Sequence, residues 1–115
     1  MLNQLDAHNA FEFYKTFLEW YCKWAHPRYL EIGCNRGETC WRLYKYCISI
    51  DAIDVLRFPD WNEHAFKFPD LRFHECTSDQ YFSILDEDTE YDLIFIDGDH
   101  SKEQVFSDVM NSLRY

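Results

Sequence analysis

The chain has 115 residues, 47% hydrophobic and 28% charged with three glycines and three prolines, a composition that supports one hydrophobic core and excludes disordered, collagenous and low-complexity chains. Twenty-one Asp and Glu against 11 Lys and Arg give a formal charge of −10, which opposes binding to nucleic acid or an anionic membrane. Five cysteines without a C-x-x-C pair read as reduced thiols; with no apolar run approaching ~18 residues and no basic-then-apolar leader, a cytoplasmic location is expected.

From Leu5 to Ala25 apolar and aromatic residues recur every three or four positions, at Phe11, Tyr14, Phe17, Leu18, Tyr21, Trp24 and Ala25, which predicts a helix stopped by Pro27. Its stripe is expected to be core, with closure over a ligand pocket as the rival use. Residues 29–32 predict a short strand closed by Gly33, and 38–46 a helix. Cys47 to Ile50 predicts a second strand ending at Asp51. Phe58-Pro59 and Phe68-Pro69 bracket a short helix over 60–66. Residues 71–76 alternate as a strand, Thr77-Ser78-Asp79 reads as a helix cap, and a helix follows to Leu85. Tyr91 to Ile96, the most apolar strand, ends in Asp97-Gly98-Asp99-His100. Ser101-x-x-Gln104 then caps a last helix with Val105, Phe106, Val109, Met110 and Leu113 as its packing face.

Strands alternating with helices at this interval imply βαβ units and a parallel sheet covered on both faces, a Rossmann-like three-layer α/β fold of about four strands behind an N-terminal helix. The expected division is one domain, with a helical segment over 1–27 and βα units over 28–115. In such sheets ligands bind beyond the carboxyl ends of the strands, where strand order reverses. The first end carries Glu31-Ile32-Gly33-Cys34-Asn35-Arg36-Gly37, whose two glycines allow a sharp turn and close backbone approach. Asp51 follows at a spacing suited to accepting hydrogen bonds from two ribose hydroxyls. An ordinary βα turn is the competing reading of the glycine pair. The dinucleotide fingerprint is not met, because Asn35 occupies its second glycine, which disfavours a nicotinamide dinucleotide.

Leu30-Glu31-Ile32-Gly33-x-x-x-Gly37, then Asp51, then Tyr91-Asp92-Leu93-Ile94-Phe95-Ile96-Asp97-Gly98-Asp99-His100-Ser101 together resemble the class I S-adenosylmethionine-dependent methyltransferases. The likeness is to the small-molecule O-methyltransferase-like branch with an I-D-G-D-H motif after its fourth strand, and it covers roughly Tyr29 to Leu113. It implies that Glu31, Gly33 and Gly37 hold the methionine portion of S-adenosylmethionine and Asp51 its ribose. It further implies that Ser78, with Asp79 as second candidate, approaches the adenine, and that Asp97 lies nearest the transferred methyl group. In related enzymes the aspartate matching Asp97 binds a divalent metal such as Mg, and a nearby His or Lys is the base, the role implied for His100. A tight turn is the alternative use of Asp97 and Asp99.

The family's sheet has seven strands and this sequence has material for four, so a complete metal site is not expected from one copy. A sheet ending at so apolar a strand leaves an exposed edge. A homo-oligomer, or a partner chain completing the sheet, is therefore expected. The functional expectation is O-methylation of a small molecule. The rival from another class is a non-catalytic cofactor-binding or assembly module derived from the same fold.

Overall fold

The computed structural model describes residues 4–64, 67–98 and 101–115, with side chains from residue 13 onward except that of His64. In chain order the elements are α1 (Gln4–Ala25), β1 (Arg28–Ile32), α2 (Glu38–Leu43) with a 3-10 turn at Tyr44–Tyr46, β2 (Ser49–Asp54), α3 (Asp60–His64), β3 (Leu71–Glu75), α4 (Ser78–Ile84), β4 (Leu93–Ile96) and α5 (Lys102–Ser112). The four strands are parallel in the order β3-β2-β1-β4. Strand order therefore reverses between β1 and β4, which puts the ligand crevice of an open α/β sheet at the ends of those two strands.

Side chains alternate across the sheet, and each set has its own helical cover. Tyr29, Ile50 and Ala52 pack with Leu18 and Cys22 of α1, Cys40 and Leu43 of α2, and Trp61 of α3. On the opposite face Leu30, Ile32 and Ile53 pack with Tyr81 and Phe82 of α4. The sheet is thus the middle of three layers, the Rossmann-like architecture expected from the alternation. At its amino end the Arg28 guanidinium and backbone N–H grip Asp92 at 2.9–3.0 Å, fixing the starts of β1 and β4 side by side.

Three expectations are corrected. Most of the aromatic stripe of α1 is not core: Leu18 and Cys22 are buried and Tyr21 packs partly buried against them, while Phe13, Tyr14, Phe17, Trp20 and Trp24 are exposed. Two adjacent buried positions suffice to seat the helix, and Glu19 and Lys15 then tie it through ion pairs to Arg42 and Glu38. Secondly, α5 does not pack through its apolar residues; Val105, Phe106, Val109, Met110 and Leu113 are all exposed, and its buried residue is Asp108. Thirdly, β2 does not end at Asp51 but runs to Asp54, because Ile50, Ala52 and Ile53 continue the two-sided burial. Part of the bracketed helix, Ala65 and Phe66, lies outside the described residues, as do Asp99 and His100.

Candidate functional site

The turn after β1 is built by backbone conformation before any ligand is considered. Gly33 has φ +87°, and a Cβ there would stand 2.3 Å from the Asp97 carbonyl oxygen and 2.5 Å from Gly98 Cα. No side chain fits, so the glycine lets β1 and β4 close up at the switch point. Gly33 N–H donates to Ile53 O at 2.8 Å and Asp97 N–H to Ile32 O at 2.7 Å. Asn35 is left-handed at φ 49°; its N–H donates to Asp54 Oδ2 at 2.8 Å and its carbonyl accepts from Trp61 Nε1 at 2.7 Å.

Two cavities meet at this turn and share Gly33, Asn35 and Asp97. One, of about 570 Å³, runs from Ile32 and Gly33 past Ile53, Asp54 and Val55 to Thr77, Ser78, Gln104 and Asp108. The other, of about 270 Å³, lies between Glu31, Arg36, Glu38, Thr39 and Phe58. Together they form a crevice across the carboxyl ends of β1, β2, β3 and β4, of a size ordinary for a cofactor or small ligand.

Carboxylates dominate the centre. Glu31 is 2% exposed and accepts hydrogen bonds from Tyr29 Oη at 2.9 Å and Cys40 Sγ at 3.0 Å. Burial pushes its pKa up to about 7 against those two bonds, with Asp97 and Asp54 adding like-charge repulsion. Glu31, Asp54 and Asp97 thus gather negative charge beside one glycine turn.

The predicted site residues separate into those at the crevice and those that serve the frame. Glu31, Gly33, Ser78 and Asp97 line it. Asp51 does not, because it sits three residues before the end of β2 and its side chain points into the α4 layer. There it accepts from His74 Nε2 at 2.9 Å and Tyr91 Oη at 2.8 Å and pairs with Arg72 Nε at 3.0 Å. Burial pushes the Asp51 carboxyl up, but the bonds from His74 and Tyr91 and the Arg72 charge outweigh it and hold the pKa below the usual range.

The acid at the strand end is Asp54, missed because the sequence offers Asp51 and Asp54 in one short run and the strand was expected to stop early. Its signal was the continued alternation of Ile50, Ala52 and Ile53. Asp54 Oδ1 also accepts from Val55 N–H at 2.7 Å, so the carboxylate orders the turns after both β1 and β2.

Gly37 also lines neither cavity. Its φ of +90° forms the left-handed entry to α2, and a Cβ there would strike the Trp41 and Trp61 indoles at 2.6–2.9 Å. Asp79 accepts from Ser107 Oγ at 2.8 Å and Asn111 Nδ2 at 3.3 Å, which makes it a tie between α4 and α5. Gln104 and Asp108 belong to the larger cavity's lining. Gln104 is expected only as the cap partner of Ser101, and its backbone N–H does donate to Ser101 Oγ while its side-chain amide turns to Ser78 and Asp108. Asp108 falls on a helix expected to pack through its apolar side. Among the described residues no three His, Cys, Asp or Glu side chains are grouped to hold a metal, so Asp97 has no described co-ligands there. No helix among the described residues is long and apolar enough to cross a membrane.

The parallel sheet with its switch-point crevice is a Rossmann-like α/β fold, and comparison with known proteins gives its family. A family model described as a methyltransferase domain matches residues 30–115, and the chain belongs to that family. Among solved structures it is similar to a Burkholderia thailandensis 1,6-didemethyltoxoflavin-N1-methyltransferase with bound 1,6-didemethyltoxoflavin and S-adenosylhomocysteine. That match has 15% identity and a TM-score of 0.64, and covers 91% of this chain and 52% of the other. It is also similar to the N-methyltransferase NodS from Bradyrhizobium japonicum WM9, at 16% identity and a TM-score of 0.61 over 92% of this chain and 62% of that one. The chain therefore spans between half and two thirds of the length of these structures, and the likeness is one of fold. No curated protein matches it.

Proposed function

We propose that the chain is the cofactor-binding part of an S-adenosylmethionine-dependent methyltransferase that acts on an oxygen of a small molecule. The observation that carries this reading is the convergence of Glu31, Asp54 and Asp97 on the Gly33 turn, at the junction of two cavities. The cofactor's methionine and sulfonium end carries cationic groups that this junction would accept, and its nucleoside end fits the larger cavity. Glu31, with the Gly33–Asn35 backbone, would hold the methionine portion, and Asp54 the ribose. Ser78 and its neighbours after β3 would face the adenine, and Asp97 would stand nearest the methyl group.

When bound, the cofactor supplies an already activated methyl group, so the protein's share is alignment of acceptor, carbon and sulfur. Asp97 lines both cavities, which supports a role in orienting an acceptor over their junction. His100, three residues further on, keeps the role of base that the resemblance implies; deprotonating the acceptor hydroxyl is work suited to an imidazole.

Isothermal titration with S-adenosylhomocysteine tests the reading. We expect saturable binding to the wild type and a loss of about 1.5–3 kcal/mol in Asp54→Ala, the range for a hydrogen bond to a charged group. Asp51→Asn, which alters a side chain outside both cavities, is expected to keep wild-type affinity in the folded protein. Absence of heat at millimolar ligand would favour the non-catalytic assembly module. Radiolabel transfer to matched hydroxyl and amine acceptors identifies the methylated atom.

A further inference from the structure

Helix α1 is seated by two buried side chains, Leu18 and Cys22, and the second of them meets another sulfur. Cys47, which follows the 3-10 turn at Tyr44–Tyr46, donates its thiol hydrogen to Cys22 Sγ across 3.9 Å. Both thiols are free, and neither residue lines the crevice. Cys40, by contrast, spends its hydrogen on Glu31.

The backbone on either side holds the two sulfurs together. His26 N–H donates to Cys22 O at 2.9 Å, the His26 ring donates from Nδ1 to Tyr46 O at 2.9 Å, and Ile48 N–H donates to Pro27 O at 3.0 Å. The end of α1 is thereby registered against the residues before and after Cys47. A disulfide spans about 2.05 Å, so the sulfurs need to approach by a little under 2 Å, a shift of the size that side-chain torsions supply. The pair is also asymmetric: Cys22 is fully buried, whereas Cys47 is partly exposed. Tyr46, beside Cys47, carries the ammonium groups of Lys23 and Lys45 at 5.4 and 5.1 Å from its ring centroid. Positive charge of that kind favours thiolate, and the bond from Cys47 holds the Cys22 thiol below its ordinary value against the burial that raises it. The two thiols thus lose their first proton as a unit that shares the second.

We infer that Cys22 and Cys47 are a redox site, closed by a low-molecular-weight disulfide into a reversible bond that locks α1 onto the sheet. The site stands apart from the S-adenosyl reading and does not depend on it. Cys47, the accessible member, attacks one sulfur of the oxidant as a thiolate; the oxidant's S–S bond breaks, its first thiolate leaves, and a mixed disulfide forms on Cys47. Cys22, shielded from the oxidant but in contact with Cys47, then attacks Cys47 Sγ and expels the second thiolate. Two protein thiols are oxidised, one small disulfide is reduced to two thiols, and the two protons pass to those leaving groups. The new bond closes a loop of 25 residues in sequence separation that carries α1, β1 and α2. Excess thiol reverses every step.

Treating the reduced, folded chain with glutathione disulfide tests this by mass and by melting. The intact chain should lose two hydrogens, digestion should recover the Cys22 and Cys47 peptides joined, and Cys34, Cys40 and Cys76 should remain open to alkylation once the protein is unfolded. The melting temperature should rise by on the order of 10 °C, the effect of closing a loop of this length, and return on adding dithiothreitol. Cys47→Ser, at the partly exposed position, should abolish both the pairing and the rise, and Cys76→Ser should keep both. Cys22→Ser should leave Cys47 trapped as the glutathione adduct, which separates the attacking thiol from the resolving one. A wild type that stops at the adduct on Cys47, pairs other cysteines, or melts no higher when Cys22 and Cys47 are joined overturns the assignment.

Discussion

Glu31 and Asp51 are buried carboxylates on neighbouring strands, and the fold drives their pKa values in opposite directions. Glu31 is met by a phenol and a thiol, neutral donors that offset only part of its desolvation, whereas Asp51 is met by Arg72 and His74 as well as Tyr91. The pH dependence of stability follows from the signs. Glu31 has a folded pKa of about 7 against an ordinary 4.5, so the folded state holds the extra proton between those values. Stability is lost as pH rises through that window, by on the order of 3 kcal/mol once both states are ionised. Glu31→Gln should flatten this slope, and urea unfolding of both proteins at pH 5 and pH 8 measures the difference. Asp51 has the opposite sign: its contribution is present above its unfolded pKa and is lost as pH falls through the lowered folded one. Parallel acid limbs for wild type and Asp51→Asn would contradict the pairing with His74 and Arg72.

At the scale of elements, the βα turn after β1 is fixed by what cannot be placed there. Gly33 combines a left-handed φ with contact against the backbone of Asp97 and Gly98, while a Cβ at Gly98 would find its nearest neighbour, Ile32 Cγ2, at an ordinary 3.5 Å. Gly33→Ala should therefore destabilise the protein by more than about 2 kcal/mol, since left-handed strain alone is about 1–2 kcal/mol and β4 must also shift away from β1. Gly98→Ala should fall within about 1 kcal/mol of wild type. Thermal melts of the pair decide whether backbone packing or ligand contact explains the glycine. The Thr77–Gln80 capping box opens α4, with Thr77 Oγ1 accepting from Gln80 N–H at 3.1 Å and Gln80 Oε1 accepting from Thr77 N–H at 2.9 Å. That start sets Ser78 at the head of the helix, where its hydroxyl meets Asp108 instead of solvent.

For the whole molecule, β4 is an end strand of the sheet, so one row of its backbone groups has no strand beside it among the described residues. Its side chains Leu93 to Ile96 are each only partly buried, and α5 adds exposed Phe106, Met110 and Leu113. An open apolar edge beside an open apolar helix is a surface that proteins ordinarily cover. We expect this chain, taken by itself, to self-associate through that edge. Sedimentation velocity over a hundredfold range of concentration should show a dimer or larger species, and a concentration-independent monomer would contradict the expectation.

Much of this architecture was legible in the chain. Alternating short strands and helices, Gly33 after an apolar strand, and Asp97-Gly98 after the most apolar strand were enough for a parallel sheet with a crevice at β1 and β4, because hydrophobic period and turn chemistry are local properties. The failures share a cause. Whether β2 ends at Asp51 or Asp54, whether α5 buries its leucine or its aspartate, and whether the α1 aromatics are core all depend on what another segment presents in space. Asp51 is internal because His74, Arg72 and Tyr91 reach it from 21 to 40 residues away. Asp108 is internal because Ser78 and Gln104 bind it. The sequence by itself determined the class of fold and the end of the sheet at which to look for a ligand. Only the tertiary structure decided which of its many acids line that crevice, since a carboxylate's environment is set by long-range partners that no local pattern specifies.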